Sequence, residues 1–332
     1  MKPIQSICTL VLLFFVVPAA LAQEGRLLVA EKGDQKLAVF NSSTGELIGA
    51  IPLGGNTGHE VAASPDGRMA YVPIYGDSGV GKAGSDGSNM VAIDLTTLKV
   101  TGNLDFGHGV RPHLPVFGPK DGLLYVTTEL DQSVTIVDPK TLKIVGSIPT
   151  GQTESHMLAI SHDGRRGYTA NVGPGTVSVL DMEARKTLKT IPISGKTQRI
   201  SISMDDHWVF TADQTKPELV VIDTTTDQVK HSIHLKGLGY GSAPTPDGRW
   251  LLVAIPDKDS VAVIDLKNMK VTQMIEVASA PQEVVVQPDG STAYVSCERA
   301  GQVIAIDLNA WWLSNGIQAG SQPDGMAWAP AQ

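Results

Sequence analysis

Residues 58–73 read GHEVAASPDGRMAYVP, and this stretch decides the fold. It consists of a short apolar segment, the turn Pro65-Asp66-Gly67, and a second apolar segment that contains Tyr71. Proline pre-sets φ, aspartate bonds back to the backbone and glycine accepts positive φ, so this tripeptide favours a tight turn. The β-branched and alternating character of such flanking segments predicts two antiparallel strands joined by the turn.

Versions of this unit recur along the chain. Each copy contains an apolar strand that ends in Asp or Asn, at positions Asn41, Asp94, Asp138, Asp181, Asp223, Asp265 and Asp307. The spacings are 53, 44, 43, 42, 42 and 42 residues, so seven copies follow a period near 42 with one insertion in the first gap. A period of about 40–45 residues with four strands per copy is typical of β-propellers. The sequence therefore predicts an all-β, seven-bladed propeller of four-stranded antiparallel blades.

The two ends of the chain each supply part of one blade. Residues 27–53 contain three strand segments that lack a preceding inner strand, and residues 320–330 contain one inner-strand segment. We therefore expect the seventh blade to be shared between the termini. Such closure hides the strand edges that an open sheet exposes.

The repeated segments resemble a known family. Ser64-Pro65-Asp66-Gly67, Tyr71-Val72 and Tyr125-Val126-Thr127 are similar to the motifs of the YVTN-repeat β-propellers, which belong to a wider group with lactonase-type seven-bladed propellers. The resemblance covers nearly all of residues 26–330 and implies the propeller fold. That wider group contains lactonases, lactonising isomerases, metal- or heme-bearing redox modules and proteins without an assigned activity, so the resemblance implies no single function.

The N-terminus has the pattern of a secretory signal. Lys2 provides a basic start, residues 7–17 are apolar, and Ala20-Leu21-Ala22 fits a small-residue cleavage site. We expect residues 1–22 to be removed, which leaves one propeller domain over residues 23–332, secreted or periplasmic. The apolar run is short for a membrane span, so no span is expected after cleavage.

The net charge argues against one class of partner, and the cysteine content argues against internal disulfides. The formal net charge is −8, and an acidic surface repels phosphate backbones, so no nucleic-acid partner is expected. Beyond residue 22 the chain contains one cysteine, Cys297, so no internal disulfide forms. Cys297 is expected to be a small buried apolar residue.

The start of each inner strand is the candidate functional position, because the layout implied by the resemblance places it at the mouth of the central channel, opposite the Pro-Asp-Gly turns. Six residues before each turn proline, or its equivalent, the blades present His59, His113, His156, Gln198, Tyr240, Gln282 and Asp324. The next position presents Glu60, Leu114, Met157, Arg199, Gly241, Glu283 and Gly325. Arg111 lies in the connection that leads to His113.

Three functions are compatible with this ring. The first is a non-catalytic protein that binds a small molecule or a protein partner at the mouth. Its ligand-binding residues are Glu60, Gln198, Tyr240, Glu283 and Asp324. No complete catalytic constellation is present in the sequence, which favours this first interpretation.

The second function is a hydrolase, lyase or isomerase of the lactonase type. His113 and His156 are the catalytic candidates that move a proton, and Arg111 or Arg199 holds a carboxylate or oxyanion. In this scheme Glu60 or Glu283 orients the histidine.

The third function is a divalent metal site. His59, His113 and His156 come from three consecutive blades, and three imidazoles with Gln198 or a carboxylate form a donor set that leaves a coordination position open.

The insertion in the first gap, residues 75–89, is rich in Gly and Ser and lies at the histidine end. Its glycines resemble phosphate-binding loops, but no helix follows to direct N–H groups at a phosphate. The segment is expected to be either a surface loop or a lid over the channel mouth.

Overall fold

Seven antiparallel sheets form a β-propeller in the computed structural model, which describes residues 25–77, 79–314 and 316–331. The predicted fold class is confirmed. Residues 1–22, the predicted signal segment, lie outside the described residues, and its cleavage stays a prediction. No helix within the described ranges is long and apolar enough to cross a membrane.

The strands follow in chain order. Blade 1 begins with β1 (Gly25–Glu31), β2 (Lys36–Asn41) and β3 (Leu47–Pro52). Blade 2 contains β4 (Ala62–Ala63), β5 (Met69–Gly76), β6 (Asp86–Asp94) and β7 (Lys99–Asp105). Blade 3 contains β8 (Pro112–Phe117), β9 (Leu124–Thr128), β10 (Ser133–Asp138) and β11 (Lys143–Pro149). Blade 4 contains β12 (Ser155–Ile160), β13 (Arg166–Asn171), β14 (Thr176–Asp181) and β15 (Lys186–Pro192).

The remaining blades repeat the pattern. Blade 5 contains β16 (Thr197–Ile202), β17 (Trp208–Asp213), β18 (Glu218–Asp223) and β19 (Gln228–His234). Blade 6 contains β20 (Ser242–Pro244), β21 (Trp250–Ile255), β22 (Ser260–Asp265) and β23 (Lys270–Glu276). Blade 7 contains β24 (Pro281–Val286), β25 (Thr292–Cys297), β26 (Gln302–Asp307) and the short pieces β27 (Trp312–Leu313) and β28 (Ile317–Gln318). The last strand is β29 (Pro323–Pro330), and short 3-10 turns cover Lys32–Asp34 and Pro256–Lys258.

Blade 1 is shared between the two ends of the chain, as predicted. Its strand order is β29-β1-β2-β3, so the C-terminal strand is the innermost. Strand β29 pairs with β1 in antiparallel register, with Leu27 opposite Trp328 and Leu28 opposite Ala327. The ring is therefore closed by backbone hydrogen bonds between segments that are about 300 residues apart in the sequence.

The Pro-Asp-Gly turn forms as expected from its residues. Gly67 N–H donates to the Ser64 carbonyl at 2.8 Å, and Ser64 Oγ donates to Asp66 Oδ1 at 2.6 Å. Gly67 has φ of +69°, and a Cβ there would lie 2.3 Å from the carbonyl oxygen of Pro330. This position requires glycine, because the turn of blade 2 packs directly on the closing strand.

The core lies between neighbouring blades, where apolar residues from adjacent sheets interdigitate. Between blades 1 and 2, Leu28, Val39, Val72 and Ile93 are fully or almost fully buried in one cluster. Cys297 is buried within the cluster between blades 6 and 7, which confirms the expectation for it. Each blade therefore depends on both neighbours for its stability.

The insertion lengthens the hairpin of blade 2. Gly76 of β5 pairs with Asp86 of β6, so only residues 77–85 remain as a connecting loop. This hairpin projects at the end of the channel where the inner strands begin, which is the end predicted for it.

Candidate functional site

The inner strands bring their first residues together at one end of the channel, and the side chains there form two groups. One group, here called the histidine cluster, contains His59, Tyr75, His113, Glu129 and His156. It lies on blades 2, 3 and 4.

Aromatic rings fill the histidine cluster. The ring centroids of His113 and His156 lie 3.7 Å apart with an interplanar angle of 33°. His59 lies 5.4 Å from His113, and the Tyr75 ring lies 4.8 Å from His59 and 5.3 Å from His113. His59 is the imidazole nearest to solvent, because its side chain is 19% exposed whereas His113 and His156 are 1% and 2% exposed as residues.

A buried carboxylate orients His156. Glu129 Oε1 bonds to His156 Nδ1, and Glu129 Oε2 accepts a hydrogen bond of 2.7 Å from the Tyr75 hydroxyl. On the other side of the imidazole, the amide nitrogen of Gln198 lies 3.2 Å from His156 Nε2 and 3.0 Å from the Tyr240 hydroxyl. Because the Gln198 amide is a donor, Nε2 accepts and the His156 proton lies on Nδ1, facing Glu129.

Two of the histidines are neutral at pH 7. Burial lowers the pKa of His59 from 6.5 to about 4, although the Asp324 carboxylate opposes the shift. Burial and the neighbouring His156 and His59 hold the pKa of His113 well below its usual range. His113 Nδ1 is buried and has no hydrogen-bond partner among the described residues. The cluster therefore offers uncharged nitrogen donors.

The second group, here called the guanidinium cluster, consists of Arg199 and the three carboxylates around it: Glu60, Glu283 and Asp324. Arg199 Nη1 donates to Glu60 Oε1 at 2.7 Å and to Glu283 Oε2 at 2.8 Å, and Nη2 donates to Asp324 Oδ1 at 3.4 Å. The Tyr240 ring lies under the guanidinium, with Cζ 4.5 Å from its centroid. Arg199 is 3% exposed, so these contacts replace the hydration of Nη1 and Nη2.

The guanidinium cluster contains more acids than bases. Burial raises the pKa of Glu60 to about 8 and that of Glu283 to about 7, although Arg199 lowers both. Asp324 is also buried, but Lys32 and Arg199 lower the pKa of its carboxyl. Lys32 Nζ lies 3.1 Å from Asp324 Oδ2, which in turn lies 3.5 Å from His59 Nδ1. Asp324 therefore connects the two clusters.

Arg111 connects the insertion to the mouth. Its backbone has φ of +50°, Nε lies 2.6 Å from Asp86 Oδ1, and Nη2 donates to the Lys82 carbonyl at 2.8 Å. Its Cζ lies 6.0 Å from the Tyr75 ring. The guanidinium of Arg111 is thus occupied by the loop of residues 77–85 and its flanking strand.

The predicted residues are divided between these groups. His59, His113, His156, Gln198 and Tyr240 lie in one contact chain, whereas Glu60, Arg199, Glu283 and Asp324 form the other. The carboxylate that orients His156 is Glu129, and Glu60 and Glu283 instead bind Arg199, which differs from the expected orienting role. The catalytic, ligand-binding and metal-binding roles of these residues stay predictions.

In the part of the chain that the structure describes, no group of three or more His, Cys, Asp or Glu side chains has an arrangement that holds a metal ion. The His113 and His156 rings pack against each other at an interplanar angle of 33°, with their centroids 3.7 Å apart.

Four residues of the site were not predicted from the sequence: Lys32, Tyr75, Glu129 and Glu298. They share one repeat position, four residues after the position of Tyr71 in the second strand of each blade. A ring of polar side chains at that position is the signal that identifies them. Lys32 bridges Asp324 and Glu298, with Nζ 2.8 Å from Glu298 Oε1.

The fold and this geometry define the class: a seven-bladed β-propeller with a polar site at one end of its central channel. A family model described as Cytochrome D1 heme domain matches residues 118–249, which contain Glu129, His156, Gln198, Arg199 and Tyr240. No curated protein matches the chain.

Three solved structures are similar to this chain. Hydrazine synthase of Kuenenia stuttgartiensis is 20% identical with a TM-score of 0.68, over 81% of this chain and 88% of that chain. The dihydro-heme d1 dehydrogenase NirN in complex with DHE is 16% identical with a TM-score of 0.67, over 91% of this chain and 74% of that chain. A functionally unknown protein from Desulfotomaculum acetoxidans DSM 771 is 14% identical with a TM-score of 0.76, over 92% and 99%. At these identities the likeness shows the fold alone.

Proposed function

We propose that this chain is an exported binding protein that holds a heme-class tetrapyrrole at the mouth of its channel, where His59 would bind the iron. The match to a heme-domain model over residues 118–249 supports this class of ligand. The signal-like residues 1–22 support export.

The protonation state of His59 and the contacts of its two ring nitrogens are the main support for the proposal. The imidazole is neutral at pH 7, because burial lowers its pKa to about 4. Its Nδ1 lies 3.5 Å from Asp324 Oδ2, and its Nε2 bonds to no described residue. A carboxylate behind one nitrogen orients a histidine and leaves the other nitrogen free to bind a metal.

The other residues of the mouth support this role. Lys32 and Arg199 keep Asp324 ionised, so Asp324 is able to accept a hydrogen bond from the Nδ1–H of His59. The Tyr75 ring packs 4.8 Å from His59 and restricts its rotation. A bound iron tetrapyrrole would supply a redox-active metal, and the His59 imidazole would hold it.

The proposal is tested by titrating purified protein with hemin and following the absorption spectrum. We expect a saturable Soret shift typical of imidazole ligation, which His59→Ala abolishes. His234→Ala is the matched control, because His234 is an exposed histidine on an outer strand. A spectrum that His59→Ala leaves unchanged contradicts the proposal, as does the absence of saturable binding.

Acid–base chemistry of the lactonase type is the second candidate, and one observation favours it. Glu129 holds the Nδ1 proton of His156, which is how a carboxylate prepares an imidazole to accept a proton at Nε2. Turnover of a panel of lactones by the metal-free protein, lost in both His156→Ala and Glu129→Gln, supports this function. The absence of turnover on the panel counts against it.

A further inference from the structure

A cavity lies far from the channel mouth, at the seam where blade 7 meets blade 1, beside the turns at the opposite end of the propeller. It has a volume of about 280 Å³. The residues that line it are Ser42, Ser43, Thr44, Gly45, Gln287, Thr292, Tyr294, Ala305, Ser314, Gly316, Ile317 and Gln318. Ligand pockets span about 300–1,000 Å³, so this volume limits a ligand to roughly one small ring.

The lining is polar but uncharged. It contains hydroxyl and amide side chains and no Asp, Glu, Lys, Arg or His. A charged ligand would lose its hydration here without gaining an opposite charge, whereas hydroxyl groups both donate and accept hydrogen bonds. The apolar surfaces of Ile317, Ala305 and the Tyr294 ring provide contacts for the C–H groups of a ligand. The chemistry of the cavity therefore matches a neutral polyol.

Ser42 provides an independent observation. Its residue is 8% exposed, and its Oγ is buried without a hydrogen-bond partner among the described residues. The backbone at this point is fixed, because the Tyr294 hydroxyl donates to the Ser42 carbonyl at 2.8 Å. A buried hydroxyl without a partner is unfavourable. Ser42 lines the cavity, and a ligand hydroxyl that reaches its Oγ would supply the missing partner.

The corresponding seam between blades 3 and 4 provides an internal comparison. Its cavity, about 330 Å³, is lined by the charged residues Lys120, Asp121 and Glu183. The Tyr125 hydroxyl there already donates to Asp121 Oδ2 at 2.8 Å, and none of its lining residues has a buried polar side-chain atom without a partner. Both blade seams contain a cavity, but only the cavity beside Ser42 combines an uncharged lining with an unpartnered hydroxyl among these two.

We propose that the cavity between blades 7 and 1 binds a small neutral polyhydroxyl ligand, such as a single sugar ring, through Ser42 and the surrounding hydroxyl and amide groups. This site is separate from the channel mouth and does not depend on the ligand bound there.

The test is saturation-transfer NMR and calorimetry of the full chain with glucose, myo-inositol and glycerol as neutral probes, and gluconate and glucose 6-phosphate as charged probes. We expect saturable binding of at least one cyclic neutral probe and none of the charged probes. Ser42→Ala should weaken that binding by about tenfold, which is the effect of one lost hydrogen bond.

Two further variants test whether binding occurs in this cavity and not in the comparison cavity. Ala305→Leu fills the cavity and should abolish binding, and Asp121→Asn alters the comparison cavity and should leave binding unchanged. Thermal unfolding reports whether each variant is folded. The proposal is overturned if no neutral probe saturates, if charged probes bind equally well, or if folded Ser42→Ala and Ala305→Leu both bind like the wild type.

Discussion

Arg199 Nη1 lies 2.7 Å from Glu60 Oε1, so a buried ion pair joins blade 5 to blade 2 across the central channel. The two residues are 139 positions apart in the sequence. The same nitrogen also binds Glu283 of blade 7, and Asp324 of the closing strand binds Nη2. One guanidinium therefore connects four blades at the mouth of the channel.

Removing this guanidinium should destabilise the whole propeller. Arg199→Met leaves three buried carboxylates without their shared counter-charge, and removal of one partner of a buried ion pair typically costs about 3–5 kcal/mol. We expect the free energy of unfolding in urea to fall by that amount. Arg165→Met, at an arginine whose side chain is 74% exposed, is the matched control and should change stability by less than about 0.5 kcal/mol.

Glu60 should make stability depend on pH. Its pKa is raised from 4.5 to about 8 in the folded chain, chiefly by burial, so between these pH values the folded chain binds more protons than the unfolded chain. This contribution to stability is present below pH 4.5 and is lost as pH rises towards 8. The free energy of unfolding of Glu60→Gln, relative to the wild type, should therefore increase from pH 5 to pH 8.

Glu60→Gln must be compared with the wild type at each pH, because His59 makes the stability of both proteins change with pH in the opposite direction. Its lowered pKa, about 4, makes stability rise with pH between that value and 6.5. Glu46→Gln, at an exposed glutamate, provides the control and should show no pH-dependent difference from the wild type. If the difference in the free energy of unfolding between Glu60→Gln and wild type stays constant from pH 5 to pH 8, the raised pKa of Glu60 is contradicted.

The fold was predictable because each blade repeats the same turn and strand chemistry. Residues such as Pro65, Asp66 and Gly67 favour one local backbone geometry. A short window of sequence is therefore enough to predict the turn. The ring position of His59 and its counterparts was predictable for the same reason, since repeat alignment places equivalent residues at equivalent heights in the channel.

The partners within the site were not predictable in this way. Whether Glu60 faces a histidine or Arg199 depends on how the ring closes and how long each side chain is, and neither is encoded locally. Glu129 directly follows the second strand of its blade, and only alignment of that position with Tyr75 and Glu298 shows a polar ring. Pairwise contacts across a closed ring require the three-dimensional arrangement of all seven blades.

The closing strand should be essential for folding. Strand β29 supplies the inner strand of blade 1 and pairs with β1, so deletion of residues 320–332 opens the ring and exposes the edge of β1. We expect this truncation to lose cooperative thermal unfolding. Deletion of residues 331 and 332 alone, which lie beyond the end of β29 at Pro330, should leave the unfolding midpoint unchanged. A wild-type midpoint in the longer truncation contradicts the shared blade.

Tyr75 should stabilise the histidine cluster through Glu129. Tyr75→Phe removes the hydrogen bond of 2.7 Å to Glu129 Oε2 and leaves a buried carboxylate oxygen without this donor. The expected loss is about 1–3 kcal/mol in the free energy of unfolding. Because Glu129 also orients His156, the NMR signals of the His156 ring protons should shift in this variant. Tyr71→Phe, which removes a hydroxyl bound to the Pro139 carbonyl, is the control that should leave those ring signals in place.

Arg111 should hold the insertion against the channel mouth. Its guanidinium binds Asp86 Oδ1 and the Lys82 carbonyl, so Arg111→Ala releases the loop that contains Lys82. We expect trypsin to cleave after Lys82 several-fold faster in this variant, as followed by mass spectrometry of the fragments, while the urea midpoint of the propeller changes little. Arg165→Ala also removes one tryptic site but lies at the opposite end of the molecule, and should leave cleavage after Lys82 at the wild-type rate. Equal cleavage in wild type and Arg111→Ala would show that the loop is held by contacts other than this guanidinium.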